Sequence, residues 1–291
     1  MSSHVSSVGN YDPFNQEYGN TDHLFRVAPV MKLGLPMHAQ SPSRVSRLGP
    51  ADQGVPHAAP DGHVLDHPVW ASLRGPHSTF SQAGHTAARY PVAVSPLAAL
   101  DPAGHRVSWD DLATLLGPEE IAVLVGQVDR PPENWTSARV VPCVQMVEVS
   151  VDRSPSGLPE ADVLGPHDVP KMLDLVRQTR PGPFATRTIE LGTYLGLRRG
   201  GELVAMAGQR LHPPGWTEIS AVCTHPDYRG QGFASGLVRR LCGEIRRRGE
   251  TPFLHAAASN LAAIEIYEAL GFVVRREITF EALRPKEGTG R

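Results

Sequence analysis

Thr224-His225-Pro226-Asp227-Tyr228-Arg229-Gly230-Gln231-Gly232-Phe233-Ala234-Ser235 is the stretch on which the fold turns. Before it runs the strand-like segment Thr217 to Thr224, and after it Leu237, Val238, Leu241, Cys242 and Ile245 recur at helical spacing. A strand is therefore expected to pass through a glycine-bearing turn into an amphipathic helix. Gly230 and Gly232 allow conformations and a close backbone approach that a side chain would obstruct. The helix behind them presents unpaired N–H groups and the positive end of its dipole. A diphosphate fits such a nest. Two glycines alone leave open the alternative of a tight strand-to-helix turn with no ligand.

Two common phosphate loops are excluded. A nucleotide P-loop requires a Gly-Lys-Ser/Thr ending, and a dinucleotide fingerprint requires a third glycine where Ser235 stands. Downstream, Phe253 to Ala258 reads as a strand, followed by Asn260-x-x-Ala263-x-x-x-Tyr267-Glu-Ala-Leu-Gly271-Phe272. Asn260 is placed to cap a helix beginning near Leu261.

These two spaced motifs resemble those of the GNAT superfamily of N-acetyltransferases. Its loop pattern, Arg/Gln-x-x-Gly-x-Gly/Ala, is matched by Arg229, Gly232 and Ala234. Thr-His-Pro-Asp-Tyr-Arg-Gly-Gln-Gly and Phe-Leu-His-Ala-Ala-Ala-Ser-Asn are most similar to the glycine N-acyltransferase-like branch. The resemblance covers about Glu160 to Arg284. It implies a mixed α/β fold, a mostly antiparallel central sheet flanked by helices, with acetyl-CoA or another short acyl-CoA as co-substrate. It further implies that the strand carrying Val222 splays from its neighbour, often at a bulge. Val222 and Thr224 would then meet the pantetheine arm through their backbone, and Arg229, Gly230, Gln231, Gly232, Phe233, Ala234 and Ser235 would surround the pyrophosphate. Asn260 and the small Ala263 are expected beside the cofactor.

Acyl transfer to an amine requires a neutral nucleophile, stabilisation of an oxyanion and a proton for the departing thiolate. The resemblance assigns the last to Tyr267, for which an ordinary core aromatic is the alternative. It makes Glu218 the leading base, with burial expected to raise its pKa; a solvent-facing or arginine-paired glutamate is the alternative. Period-2 alternation puts Glu218 on one face with Ser220 and Val222, opposite Ile219 and Ala221. His255 reads as a satisfied core histidine, His225 as structural and Cys223 as packing. No His/Cys pattern with ligand spacing occurs, so no metal is expected.

Further upstream, Pro170 to Arg180 reads as a helix and Thr188 to Leu195 as a short one. Leu195 to Leu197 and Leu203 to Leu211 flank a hairpin turn at Arg198 to Glu202. Residues 66–150 form a smaller α/β region. It contains a helix from Trp109 to Leu116 begun by Ser108, a strand Ile121 to Val125, and an apolar run Val140 to Val149 able to pair with that strand. This region is read either as selecting the acceptor or as a degenerate GNAT-like half. Residues 1–65 and 285–291 are expected to be disordered, Asp152 to Pro159 to be a linker, and Met31 or Met37 to be alternative starts. The acyltransferase domain is 160–284.

Across 291 residues, 28 Lys and Arg against 30 Asp and Glu give a net charge of −2. That balance offers no argument for nucleic acid or an anionic membrane. The arginines at 239, 240 and 246–248 are accounted for by a helix surface and its C-terminal dipole. Three scattered cysteines make no disulfide framework, and no apolar run is long enough to span a bilayer. The start MSSHVSSVGNYD lacks the features of a secretory signal, so a cytoplasmic protein is expected. The function expected is direct acyl transfer from acyl-CoA to a primary amine of a small molecule or amino acid, in a ternary complex. A non-catalytic acyl-CoA sensor or scaffold and a protein-amine acetyltransferase are the alternatives. Pro181 to Glu190 and His212 to Trp216 are expected to line the acceptor cleft, and the oligomeric state is left open.

Overall fold

The computed structural model describes residues 62–104, 106–117, 119–126, 130–149 and 161–286. The expected linker at 152–159 and almost all of the N-terminal extension lie outside them. In chain order the elements are α1 (Pro68–Leu73), β1 (Gln82–Ala83), β2 (Ala87–Arg89), β3 (Leu97–Leu100), α2 (Val107–Leu115), β4 (Ala122–Val125), β5 (Trp135–Glu148) and β6 (Asp162–Val163). They continue with α3 (Val169–Thr179), β7 (Tyr194–Arg199), β8 (Glu202–Gln209), β9 (Trp216–Thr224), α4 (Phe233–Arg247), β10 (Thr251–Ala257), α5 (Leu261–Ala269) and β11 (Phe272–Pro285).

All eleven strands join one sheet in the order β1-β2-β3-β4-β11-β5-β10-β9-β8-β7-β6. Only β3–β4 and β9–β10 pair in parallel; every other neighbour is antiparallel. The mixed, mostly antiparallel sheet flanked by helices is therefore as expected. Regions 66–150 and 160–284 both contribute to it. Counting outward from the central β5–β11 pair, each side runs through an antiparallel, a parallel and then two antiparallel steps, and the β10 side adds a third antiparallel step to β6. In each side a helix, α2 or α4, bridges the parallel pair.

One expected pairing is corrected. The run Val140 to Val149 lies, up to Glu148, in β5, which pairs with β10 and β11 and not with the strand Ala122–Val125. β11 intervenes: it is long enough to run along β5 from Phe272↔Glu148 to Pro285↔Trp135 while its Phe280 to Leu283 segment pairs with β4. Each long strand thus crosses to the other side of the sheet. Residues 143–147 are buried throughout because helices cover both faces there.

The apolar side of α4 (Leu237, Val238, Leu241, Ile245) packs with Ala205, Ala207, Ile219, Leu254, Val144 and Met146. Full burial of each leucine or isoleucine contributes roughly 2–3 kcal/mol. α2 covers the same face through Trp109 and Leu112 on Ala98 and Leu124. The alternate residues Leu97, Val123, Cys143, Val147 and Phe253 face α1, and Met206, Ala221 and Cys223 face α3. Ser108 does not begin α2 as expected. The helix starts one residue earlier with no side-chain cap, and the Ser108 hydroxyl is tucked beneath Gly104, where a Cβ would meet it at 2.1 Å.

The β7–β8 hairpin turns at Gly200 and Gly201 with φ of +58° and +85°, as the glycine pair predicts. β9 contains a bulge: Met206 faces Cys223 and Gly208 faces Ser220, so β9 carries one residue more than β8. Ala221 takes up the excess at φ +53°. The bulge overturns the expected alternation beyond it. Val222 packs against the cluster containing Ile219, while Ala221 joins Cys223 on the opposite face.

Candidate active site

The parallel ladder of β9 and β10 runs from Trp216↔Thr251 to Ile219↔Leu254 and stops just before the bulge. Beyond that point Ser220 to Thr224 and His255 to Ala257 are not paired with each other, so the strands splay and leave backbone groups facing a slot. Val222 and Thr224 both lie on this free edge. The Thr224 hydroxyl is buried and has no hydrogen-bond partner among the described residues.

The slot opens onto the glycine loop. Gly230 and Gly232 have φ of +75° and +74°, and Gly232 is the N-cap of α4. A Cβ on either would meet nothing within 4 Å. Conformation, together with room for something outside the chain, therefore explains the glycines better than close packing does. No side chain caps α4, so the N–H groups of Phe233, Ala234 and Ser235 are open to a ligand at the positive end of the helix. Arg229 and Gln231 are exposed at the rim, with Arg229 Nε 3.4 Å from the Thr224 carbonyl. Phe233 offers only its backbone, because its ring is buried beneath the Arg199 guanidinium at 5.0 Å. An extended thioester carrying a pyrophosphate fits this arrangement: a strand edge for its amide-bearing arm and a nest for its diphosphate.

Asn260 caps α5 as expected, its side chain accepting from the Ala263 N–H at 3.3 Å. Tyr267, two turns into α5, is 9% exposed and shares the α4 core with Phe272 and Val222. Burial, with the nearby Cys223 thiol, pushes its phenol up to about 12. The hydroxyl therefore keeps its proton at neutral pH and is available as a hydrogen-bond or proton donor. Cys223 is itself buried and pushed up to about 11 by that burial, which makes it a poor nucleophile.

Glu218 lies on the other face of the sheet, fully buried beside the vertex of the splay. Arg210 grips it at both oxygens, 2.6 Å from Nη2 to Oε1 and 2.9 Å from Nε to Oε2. His255 Nδ1 is 2.7 Å from Oε1, and His255 Nε2 is 3.1 Å from Gln145 Nε2. The Gln145 amide also donates to the Leu65 carbonyl, and its oxygen accepts from Arg275. That network assigns the proton of His255 to Nδ1, donated to Glu218. Burial alone would raise the Glu218 pKa as expected from the sequence. The Arg210 guanidinium, reinforced by His255, overrides it and holds the carboxyl at about 2.

Arg210 and Gln145 escaped the sequence reading. Arg210 was within reach: the hairpin of Leu203 to Leu211 with Thr217 to Thr224 sets residue 210 opposite 218, and the Arg210 N–H indeed meets the Glu218 carbonyl at 3.1 Å. Gln145 was not, because its strand comes from the other half of the chain. Of the two segments expected at the acceptor cleft, Pro181 to Glu190 sends Phe184 and Ile189 against the cluster beneath α3 that includes Ala221. His212 to Trp216 lies at the far end of β9, tied to Ser72 and Glu250. No group of three metal-ligating side chains, and no helix long and apolar enough to cross a membrane, occurs among the described residues.

The family model of FR47-like proteins matches residues 194–280, from β7 into β11. A putative GNAT-family acetyltransferase from Novosphingobium aromaticivorans is 40% identical with a TM-score of 0.71, over 77% of this chain and 99% of that one. A GCN5-related N-acetyltransferase from Kribbella flavida shares the fold at TM-score 0.52 and 18% identity, over 77% of this chain and 96% of its own. The [ribosomal protein bS18]-alanine N-acetyltransferase of Escherichia coli K12 is 44% identical over 52 residues, 18% of this chain. The chain spans only 35% of that curated relative's length. Since the Novosphingobium relative is matched along nearly its whole length at 40% identity, and the splayed slot and helix nest suit an acyl-CoA, the chain belongs to the GNAT family of acetyl-CoA-dependent N-acetyltransferases.

Proposed function

We propose that this chain moves an acetyl or other short acyl group from acyl-CoA to the primary amine of a small molecule or amino acid, by direct attack in a ternary complex. The motif from Thr224 to Gly232 and the segment from Phe253 to Asn260 support a place near the glycine N-acyltransferase-like branch. The observation that carries the reading is the buried, protonated Tyr267 beside Cys223, on the splayed strand of the slot.

The free edge of β9 at Val222 and Thr224 holds the pantetheine arm, and Arg229 to Ser235 with the α4 N–H groups hold the pyrophosphate. The bound thioester supplies an activated carbonyl and a thiolate leaving group. Tyr267 donates its proton to the departing sulfur. Glu218, saturated by Arg210 and His255, is too weak a base to act directly. It acts as a positioning residue by fixing His255, whose Nε2 can receive a proton when Gln145 yields it. The amine enters under Pro181 to Glu190, over the bulge.

Purified protein incubated with acetyl-CoA and a panel of amines and amino acids, followed by release of free thiol, tests the reading. Amine-dependent thiol release is expected. Tight acetyl-CoA binding with no release across the panel would instead indicate a sensor or scaffold. The curated relative's name gives a ribosomal protein alanine as its acceptor, so a peptide with N-terminal alanine belongs in the panel. Turnover of that peptide alone would favour a protein amine.

A further inference from the structure

Arg199 ends β7 at the edge of the sheet where β9 runs into the glycine loop, because β7 and β9 are both antiparallel to β8 and so point the same way. It stands well ahead of the loop in sequence and outside its motif. The carboxylates around it are taken by other cations. Its neighbour Arg198 is held by Asp162 at 3.2 Å and by Asp168. Glu202, its cross-strand partner in the hairpin, pairs with Lys171 at 3.4 Å. Among the described residues no carboxylate pairs with Arg199.

Uncharged contacts hold its side chain instead. Nη1 donates to the Arg198 carbonyl at 2.9 Å, and the guanidinium carbon lies 5.0 Å from the centroid of the Phe233 ring. Such a stack fixes the plane of a guanidinium and leaves its edge able to donate. Nε and Nη2 have no partner among the described residues. Phe233 is the first residue of α4, so its ring sets a positive charge beside the helix end whose N–H groups open onto the nest. Arg229 stands on the loop itself, its Nε 3.4 Å from the Thr224 carbonyl. Asp227, the acidic residue of the loop, lies 3.8 Å from His225 Nδ1 and pairs with neither arginine. Two cations, one from the loop and one from the hairpin, therefore flank the nest.

We propose that Arg199 is a phosphate-binding residue of the acyl-CoA site, its face resting on Phe233 and its edge donating to a phosphate of the bound cofactor. The proposal rests on the acyl-CoA reading of the slot. A planar fork held in one orientation suits two-pronged contact with phosphate oxygens, which a lysine ammonium does not reproduce. The pyrophosphate and the 3′-phosphate of coenzyme A both supply such oxygens.

Titration calorimetry of the full chain with acetyl-CoA tests it. Arg199→Met keeps an unbranched apolar stem over Phe233 and removes the fork. It is expected to weaken binding about 10-fold at roughly 0.1 M salt, and the gap should narrow several-fold at about 1 M, where the screening length falls to about 3 Å. Arg199→Lys should recover only part of the loss. Acetyl-dephospho-CoA, which lacks the 3′-phosphate, identifies the source: a loss that persists with it assigns the contact to the pyrophosphate, and one that disappears assigns it to the 3′-phosphate. Unchanged affinity in Arg199→Met overturns the proposal. So does a loss of equal size at both salt concentrations, because Arg199 would then act only by packing on Phe233. In either of those cases the acyl-CoA reading stands so long as the parent binds acetyl-CoA and Gly232→Val does not. A parent that binds no acetyl-CoA overturns that reading and this assignment together.

Discussion

Arg210 and Glu218 form a two-pronged ion pair with the carboxylate fully buried, held across the β8–β9 hairpin at 2.6 and 2.9 Å. Neither charge could stay in the core without the other. Arg210→Met is therefore expected to lower stability by about 3–5 kcal/mol, the usual consequence of stranding one member of such a pair. The double variant with Glu218→Leu should regain much of that loss. Denaturant titration of the three proteins measures it, and a single variant as stable as the parent would show that the pair contributes nothing.

The same pair sets an acid limb. Glu218 is depressed in the folded state to about 2 from an ordinary 4.5, so the unfolded chain takes up its proton first as pH falls. The stability it contributes is complete above about pH 5 and is lost progressively as pH drops toward 2. Melting temperature against pH should therefore fall less steeply over that window in Glu218→Gln than in the parent, once their difference at neutral pH is subtracted.

Tyr267→Phe removes one oxygen from a site where the ring itself is packed against Phe272, with centroids 6.2 Å apart. The fold should survive. If the hydroxyl protonates the thiolate, kcat is expected to fall about 100-fold or more, with the KM for acetyl-CoA little changed. Because burial holds the phenol near 12, the parent should show no loss of rate from tyrosine ionisation below about pH 10. An unaltered kcat in the variant removes the acid role.

The loop and helix at this site were legible because their signals are local. Gly230, Gly232 and the apolar stripe of α4 occupy one continuous stretch, as do Asn260 and Tyr267, and each set is read from spacing alone. What escaped was non-local. Nothing near Val140 reveals that β10 and β11, more than a hundred residues later, pair with its strand, and so nothing reveals that Gln145 stands beside His255. Alternation likewise holds along β9 up to Ser220, and fails at Ala221 because a bulge depends on the partner strand. Ser108 has the chemistry of an N-cap, yet Gly104 and the cover of the loop draw it one position inside the helix.

The bulge offers the last test, since Ala221 holds a left-handed φ of +53° in the middle of a strand. That conformation costs a non-glycine residue roughly 1–2 kcal/mol, while glycine adopts it freely. A regular strand would be cheaper locally, but it would turn Val222 away from the slot and remove the break at which β9 and β10 part. Ala221→Gly should therefore stabilise the protein modestly, up to about 1 kcal/mol, and preserve acetyl-CoA binding. Ala221→Val adds a β-branched side chain to a conformation it disfavours and to a site already 92% buried by its 8% exposure. It should both destabilise the fold and raise the KM for acetyl-CoA several-fold, by pushing β9 toward a straight path. Equal stability and KM in all three proteins would mean that the splay is held by something other than this bulge.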